Sequence, residues 1–422
     1  MVKELFSYIK KHLVIFDFNR LHRQYSHPEL IFMIKLRNLF FLLVLGLVGC
    51  KKPYNQPATS TSKRYLIVEG IINTGNDSTV IKLSRTVKLT DRITTNPVLN
   101  ATVTVEGEQG GTYLLYDIFN NGHYNSVNGL NLPASQRYRV RIIPAEGGQY
   151  VSDFVEVKPT PSIDSIGYNI KDTTVNLYVN THDATNKTRF YLWDYDEAWI
   201  FHAKYASIYV LDPSTNTMVP RTRNQMIYNC FANDKSVNVI STSTEKLSSD
   251  VVYQGPLTSI ALSSEKMESK YSILVRQYAL TQDAYNFYQI MKKNTEQLGS
   301  IFDAQPSEIS GNIHNTTNPA EPVVGYISAT NVQSKRIFIK HADLPGNVLP
   351  IYPYTCEQDT ALYNDRTGTN QVQNVLINPP VDYFATSPIV APGGGIIGFL
   401  YSTRVCVDCT LRGKVDTPAF WK

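Results

Sequence analysis

The sequence predicts a mainly β protein: an N-terminal immunoglobulin-like β-sandwich, then a larger β-rich domain with one inserted amphipathic helix. Three observations lead there. The 422 residues include 27 Tyr, and Tyr, Thr, Val and Ile all suit a pleated, half-buried surface. Apolar residues recur at period two in short runs bounded by Gly, Asn and Pro, the pattern of strands and tight turns. Only one segment carries a clear helical period. With 42 % hydrophobic and 18 % charged residues the composition is that of a globular chain. At about 100–200 residues per domain, residues 50–422 suit two domains.

The elements follow in order. Residues 65–70 (YLIVEG) read as a strand, 73–77 (NTGND) as a turn, and 78–83 as the returning strand. Residues 101–107, 111–117, 122–127, 138–143 and 151–157 continue the pattern, and seven short strands within 63–160 make a sandwich. Pro159 and Pro161 favour extended chain and punctuate a boundary. The second domain spans 161–422, with strands at 175–180, 189–196, 199–205, 236–240, 257–262 and 270–278. Over 281–298, Ala284, Phe287, Tyr288, Met291, Thr295 and Leu298 follow the i, i+3, i+4, i+7 spacing of a helix. Thr281 suits its N-cap, Asp283 its first turn and Gly299 its end; the stripe is expected to pack on the second domain's sheet. Residues 323–328 and 336–340 resume the β pattern, and 345–395 read as loop-heavy.

The N-terminus reads as an address. Residues 39–49 (LFFLLVLGLVG) are apolar but too few to span a bilayer core, which needs about twenty. Lys35 and Arg37 precede them and Cys50 follows, which describes a secretory signal over residues 1–49. Met33 would start a signal of ordinary length. Leu47-Val48-Gly49-Cys50 resembles a bacterial lipobox, which implies lipidation of Cys50 and a membrane contact through its acyl chains. Residues 50–62 are Pro-, Ser- and Thr-rich and read as a tether.

Charge excludes one class of partner. The chain carries 40 Lys and Arg against 36 Asp and Glu, and the excess lies in residues 1–49. The remainder is balanced, so no nucleic-acid partner is expected, because phosphate backbones demand concentrated Lys and Arg. Cys230, Cys356, Cys406 and Cys409 are an even set in an exported chain and are read as disulfide cysteines; four permit three pairings. Cys406 and Cys409 form a C-x-x-C, but without the helical context of a redox motif or the second ligand pair of a zinc site.

No catalytic signature appears: no H-E-x-x-H, P-loop, G-x-S-x-G or dinucleotide fingerprint. His341 and Asp343 lack a third partner. Asp194, Asp196 and Glu197, in the stretch WDYDEAW, read as a solvated turn rather than a glycosidase pair. Trp193, Tyr195 and Trp199 beside them are candidate ligand-contact aromatics for a sugar ring or peptide. No metal, cofactor or enzyme activity is expected.

Several stretches together resemble one family: LIVEG at 66–70 with VIKLSR at 80–85, ATVTV at 101–105, SGNIHN at 310–315 with NPAEP at 318–322 and Gly325-Tyr326, and the chain end from Cys406 and Cys409 through Gly413 to Phe420-Trp421. With the lipobox they resemble the domain-of-unknown-function 4249 family, lipoproteins of Bacteroidota. The resemblance implies an outer-membrane lipoprotein without assigned activity that accompanies a TonB-dependent transporter of the nutrient-uptake kind. It favours the cell-surface face over the periplasmic face, although Lys51 and Lys52 stand where many surface lipoproteins carry acids. The phylum's O-glycosylation pattern, Asp followed by Ser or Thr, implies modification at Ser78, Ser165, Thr173 and Thr360. The expectation is therefore a non-enzymatic accessory subunit docked on a transporter, or alternatively a free-standing glycan- or peptide-binding module.

Overall fold

The computed structural model describes residues 64–87, 95–296, 311–346, 348–378 and 382–421. The expected signal segment 1–49, Cys50, the expected tether 51–62, and Leu298 and Gly299 at the predicted helix end lie outside the described residues.

Two β-sandwiches follow one another, and the expected mainly β architecture holds. In the first, strand Leu66–Asn73 pairs antiparallel with Val80–Arg85, which pairs with His123–Asn125. The facing sheet is built from Thr102–Gly107, Thr112–Leu115, Tyr138–Ile143 and Tyr150–Ser152. Alternation is strict where it matters: Leu66, Val68 and Ile72 point inward with Ile81, Leu83, Val103, Val105, Tyr138, Val140 and Ile142. Inward residues from both sheets form one core, as period-two patterning requires.

Residues 63–160 do not complete that core alone. The chain returns after residue 310. Ile313–Asn315 extends one sheet beside Tyr150–Ser152, and Val324–Gly325 runs parallel to Ile67 and Val68. Ser328–Thr330 lies parallel between Ile71–Asn73 and Val157–Lys158. Ile313, Val323, Ile327 and Ala329 are buried in the first core. Gly325 shows why its side chain is missing: its φ is +149°, and a Cβ would stand 2.1 Å from the Val68 carbonyl oxygen. The Pro159–Pro161 punctuation thus marks where the sheets change, while the first core draws on residues 150 positions further along.

The second sandwich packs the sheet Ile163–Lys171, Thr174–His182 and Val251–Ala261 against a larger one. That larger sheet is centred on Phe190–His202 and Lys270–Ala279, flanked by Asn229–Lys235, Ile240–Ser243 and Gln333–Lys340. Its core gathers Val175, Leu177, Val179, Tyr191, Trp193, Phe201, Tyr271, Ile273 and Val275. A third, smaller sheet, Asp359–Leu362, Tyr383–Val390 and Ile396–Thr403, lies largely where the sequence reads as loops. Register shifts between Ala385 and Ser387 and between Ile389 and Val390 interrupt strand Tyr383–Val390 on either side of Pro388, and such interruptions erase the alternation that would have announced the strand. The hairpin Tyr209–Asp212 with Thr217–Pro220 packs its Tyr209, Leu211 and Met218 on that sheet's core.

Helix Gln282–Glu296 begins where expected, the Ala284 amide donating to Thr281 Oγ1 at 3.2 Å. The helix touches both sandwiches. Tyr285 meets Phe190 of the second at 5.1 Å between ring centroids, and Phe287 meets Tyr326 of the returning segment at 5.4 Å. No described helix is long and apolar enough to cross a membrane.

Two disulfides, Cys230–Cys409 and Cys356–Cys406, select one of the three pairings. The C-x-x-C cysteines do not pair with each other; each staples the chain end to a different earlier segment. The intervening Asp408 is buried and holds that turn, its carboxylate accepting from the Thr410 amide at 2.9 Å and from Arg404 Nε at 3.0 Å.

Two outcomes are expected. Residues 63–160 expressed alone will show no cooperative thermal unfolding by near-ultraviolet circular dichroism, because strands Ser328–Thr330 and Ile313–Asn315 are missing; a sharp transition would contradict the interlocked core. Cys230→Ser with Cys409→Ser will cost about 2–5 kcal/mol in urea denaturation, because the bridge closes a loop between residues 179 apart.

Candidate functional site

Strand Phe190–His202 is the key to the site. Its odd-numbered residues face the core and its even-numbered ones face outward. Asp194 and Asp196 therefore project from the outer face of the larger sheet. Register places Arg276 directly opposite Asp194, and Lys235 opposite Asp196. One strand further, Arg336 stands opposite Leu274, itself the neighbour of Asp196. Opposite charges on facing strands attract and fix one another.

The resulting cluster is tightly paired. Arg276 Nε donates to Asp194 Oδ1 at 2.5 Å, while Nη1 and Nη2 reach Asp196 at 2.7 and 3.1 Å. The Tyr278 hydroxyl donates to Asp194 Oδ2 at 2.7 Å. Burial works against ionisation of Asp196, but the hydrogen bond and charge of Arg276, with Lys235 and Arg336 behind it, prevail and hold its carboxyl below the ordinary range. Burial, reinforced by Asp194, pushes the Tyr278 phenol up, so it stays protonated.

This cluster floors a cleft of about 640 Å³. The first sandwich supplies the opposite wall through Gly70, Ile71, Asn73, Asp77, Ser78 and Val80, and the helix contributes Tyr288. A smaller cavity of about 260 Å³ continues past Asp196 and Lys235 to Arg336, Lys414 and Phe420. The chain end closes that side. Trp421 sits edge-on to Phe231 and Phe338 at 5.4 and 5.5 Å, and the Arg336 guanidinium lies 3.7 Å from the Phe420 ring centroid.

The predicted aromatics do not form a platform. Trp193 and Trp199 lie on the core face, 2 % and 8 % exposed, and Tyr195 packs half-buried beside them. Trp193 Nε1 donates to the buried Gln277 at 2.9 Å, and Trp199 Nε1 to Glu265 at 3.2 Å. The expectation of ligand contact through these rings is corrected: alternation along one unbroken strand turns them inward. Nor is WDYDEAW a solvated turn. It is mid-strand, and Glu197 is buried, bonded to Lys266 and to the Tyr271 hydroxyl.

Arg276, Lys235, Arg336 and Tyr278 escaped the sequence reading because cross-strand register, not spacing, unites them. The one available signal was the i, i+2 series Tyr191, Trp193, Tyr195, Trp199, Phe201, which assigns the intervening carboxylates to the outside. Ser78, Ser165, Thr173 and Thr360 are all exposed residues, and Ser78 lies at the cleft. His341 Nδ1 lies 2.9 Å from the Met267 carbonyl, and no cluster suited to a metal occurs among the described residues.

A carboxyl with a lowered folded pKa stabilises the fold above its unfolded value, about 3.9 for Asp, and that contribution is lost as pH falls through the folded value. Asp196→Asn should therefore cost about 1 kcal/mol at neutral pH, given a side chain roughly one-third exposed. The gap to the parent protein should close on acidification below about pH 4. Urea midpoints across pH measure both; a gap independent of pH would contradict the pairing.

The profile of a family described as a domain of unknown function, DUF4249, matches residues 51–336. No curated protein matches the chain. Among solved structures, a candidate carbohydrate-binding protein from Bacteroides uniformis ATCC 8492 is similar at 11 % identity over 51 % of this chain and 90 % of that one, with a TM-score of 0.15. So slight a likeness carries no argument about fold or ligand. The profile match covers most of the chain, from before the first sandwich into the strand Gln333–Lys340 of the second, and the protein belongs to the DUF4249 family.

Proposed function

We propose that this protein is a non-enzymatic, lipid-anchored binding subunit of the bacterial outer membrane, held through Cys50 on the cell-surface face and docked on a TonB-dependent transporter. The observation that carries the reading is the cleft floor. Asp194, Asp196 and Arg276 are locked together, so the site offers fixed dipoles and hydrogen-bond partners rather than a group ready to move a proton. A general acid needs a pKa near working pH; Asp196 is displaced away from it. Such a floor suits a polar, uncharged or zwitterionic cargo. The disulfides support export, since they persist in oxidising compartments. The transporter partner draws its support from the family resemblance.

The same cleft favours a second reading, a free-standing glycan- or peptide-binding module in which backbone amides and hydroxyls of the ligand meet Asn73, Ser78, Ser334 and Tyr288. Cross-linking in intact outer membranes, followed by affinity capture and mass spectrometry, separates the two. Near-stoichiometric recovery of a transporter is the expected result. Recovery of the lipoprotein alone overturns docking and leaves the free-standing module.

A further inference from the structure

We propose that the turn around Ile118 and Phe119 is a membrane-contacting tip that stands the folded body upright on the lipid surface. The inference rests on the proposed lipidation of Cys50. Ile118 and Phe119 are adjacent, and they are 66 % and 77 % exposed. They lie between strands Thr112–Leu115 and His123–Asn125.

The turn is built rather than loose. Asp117 turns its carboxylate inward, Oδ1 accepting from the Asn121 amide at 3.1 Å and Oδ2 from the Gly122 amide at 2.8 Å. Asn121 Oδ1 accepts from the His123 amide at 3.0 Å. Gly122 has φ +79°, and a Cβ there would stand 2.6 Å from the Leu83 carbonyl oxygen. The Asp117 and Asn121 side chains are consumed within the turn, while the two large apolar side chains are exposed.

Its place in the fold identifies what it meets. Gly122 O accepts from the Leu83 amide, and Thr86 N donates to Tyr65 O beside it. The tip therefore shares an end of the first sandwich with Leu66, where the chain arrives from Cys50. The opposite end, at Asn73 and Thr330, joins the second sandwich. Residues 51–63 can reach at most about 45 Å when fully extended, so an acylated Cys50 keeps this end within that distance of lipid. A stable protein interface needs about 1,000 Å² or more, which two side chains on a tip do not supply. A lipid surface conforms to a tip, and apolar side chains settle at the headgroup–acyl boundary.

The test uses the mature acylated protein in phosphatidylethanolamine–phosphatidylglycerol vesicles, with Phe119→Trp as reporter. Emission is expected to shift to the blue and to be quenched by lipids brominated on the acyl chain. Val237→Trp, at a position 92 % exposed on the second sandwich, should remain unquenched; the native Trp193 and Trp199 are buried and Trp421 is half-buried, and their emission is subtracted with the parent protein's spectrum. In the non-acylated Cys50→Ser chain, Ile118→Ser with Phe119→Ser should weaken vesicle association roughly tenfold or more. An unquenched Phe119→Trp, or equal quenching at both positions, overturns the proposal. Mass spectrometry of the N-terminal peptide reports acylation separately, so failure of the anchor and failure of the tip are distinguishable.

Discussion

The relation between the two sandwiches rests on a small buried knot of hydroxyls at Thr160 and Thr330. Their Oγ1 atoms lie 2.5 Å apart, and Thr330 Oγ1 also reaches the Lys158 carbonyl at 2.5 Å. Thr160 Oγ1 accepts from the Ala279 amide, at the end of a central strand of the second sandwich. Asn331 Oδ1 accepts from the Thr160 amide. One short crossing of the chain thus ties the outgoing linker, the returning strand and the second domain together. Buried hydroxyls demand partners, so the knot is satisfied only when the returning segment 313–330 is in place. The cleft wall and cleft floor belong to different sandwiches, and this knot, with the helix beside it, holds them at one spacing.

Strand Phe190–His202 then divides its chemistry between two sides. Inward, Glu197 interrupts a row of aromatics and is compensated by Lys266 and Tyr271. Outward, Asp194 and Asp196 meet Arg276. Ion pairs in partly buried positions add little net stability, since desolvation offsets much of the attraction. What they add is specificity of register: a slip by one residue would place Asp194 and Asp196 in the core and Trp193 in water. The outer triad and the inner triad oppose the same error from opposite faces.

The first sandwich was legible because its strands alternate cleanly and its turns carry Gly and Asn; Leu66–Asn73, Thr102–Gly107 and Tyr138–Ile143 fall close to their expected places. Helix Gln282–Glu296 was legible through its stripe and its Thr281 cap. Two kinds of feature were not. The completion of the first core by Ile313, Val323, Ile327 and Ala329 is a non-local pairing that leaves no local trace, since those residues read as an ordinary strand wherever they go. The acidic stretch at 194–197 looked like a turn because Glu197 breaks the apolar row, and a buried charge with partners distant in sequence resembles an exposed one. Local sequence therefore points to the aromatics, whereas register gathers the charged groups of the site from strands far apart along the chain.

The disulfides connect to the site through backbone rather than through chemistry. Cys230 lies in strand Asn229–Lys235, the same strand that ends at Lys235 on the cleft floor. Its partner Cys409 fixes the start of the final segment, whose Lys414 pairs with Phe231 and whose Phe420 and Trp421 cover Arg336 and Phe338. The covered end of the sheet keeps Arg336 oriented along the row that contains Asp196. A floor held from both ends, with its charges already paired, can select a ligand by preformed shape and hydrogen bonding and lose little order on binding. Closure of one sandwich on the other would have to break the Thr160–Thr330 knot. Rigidity, rather than a moving lid, is thus the constraint under which this cleft would recognise a ligand.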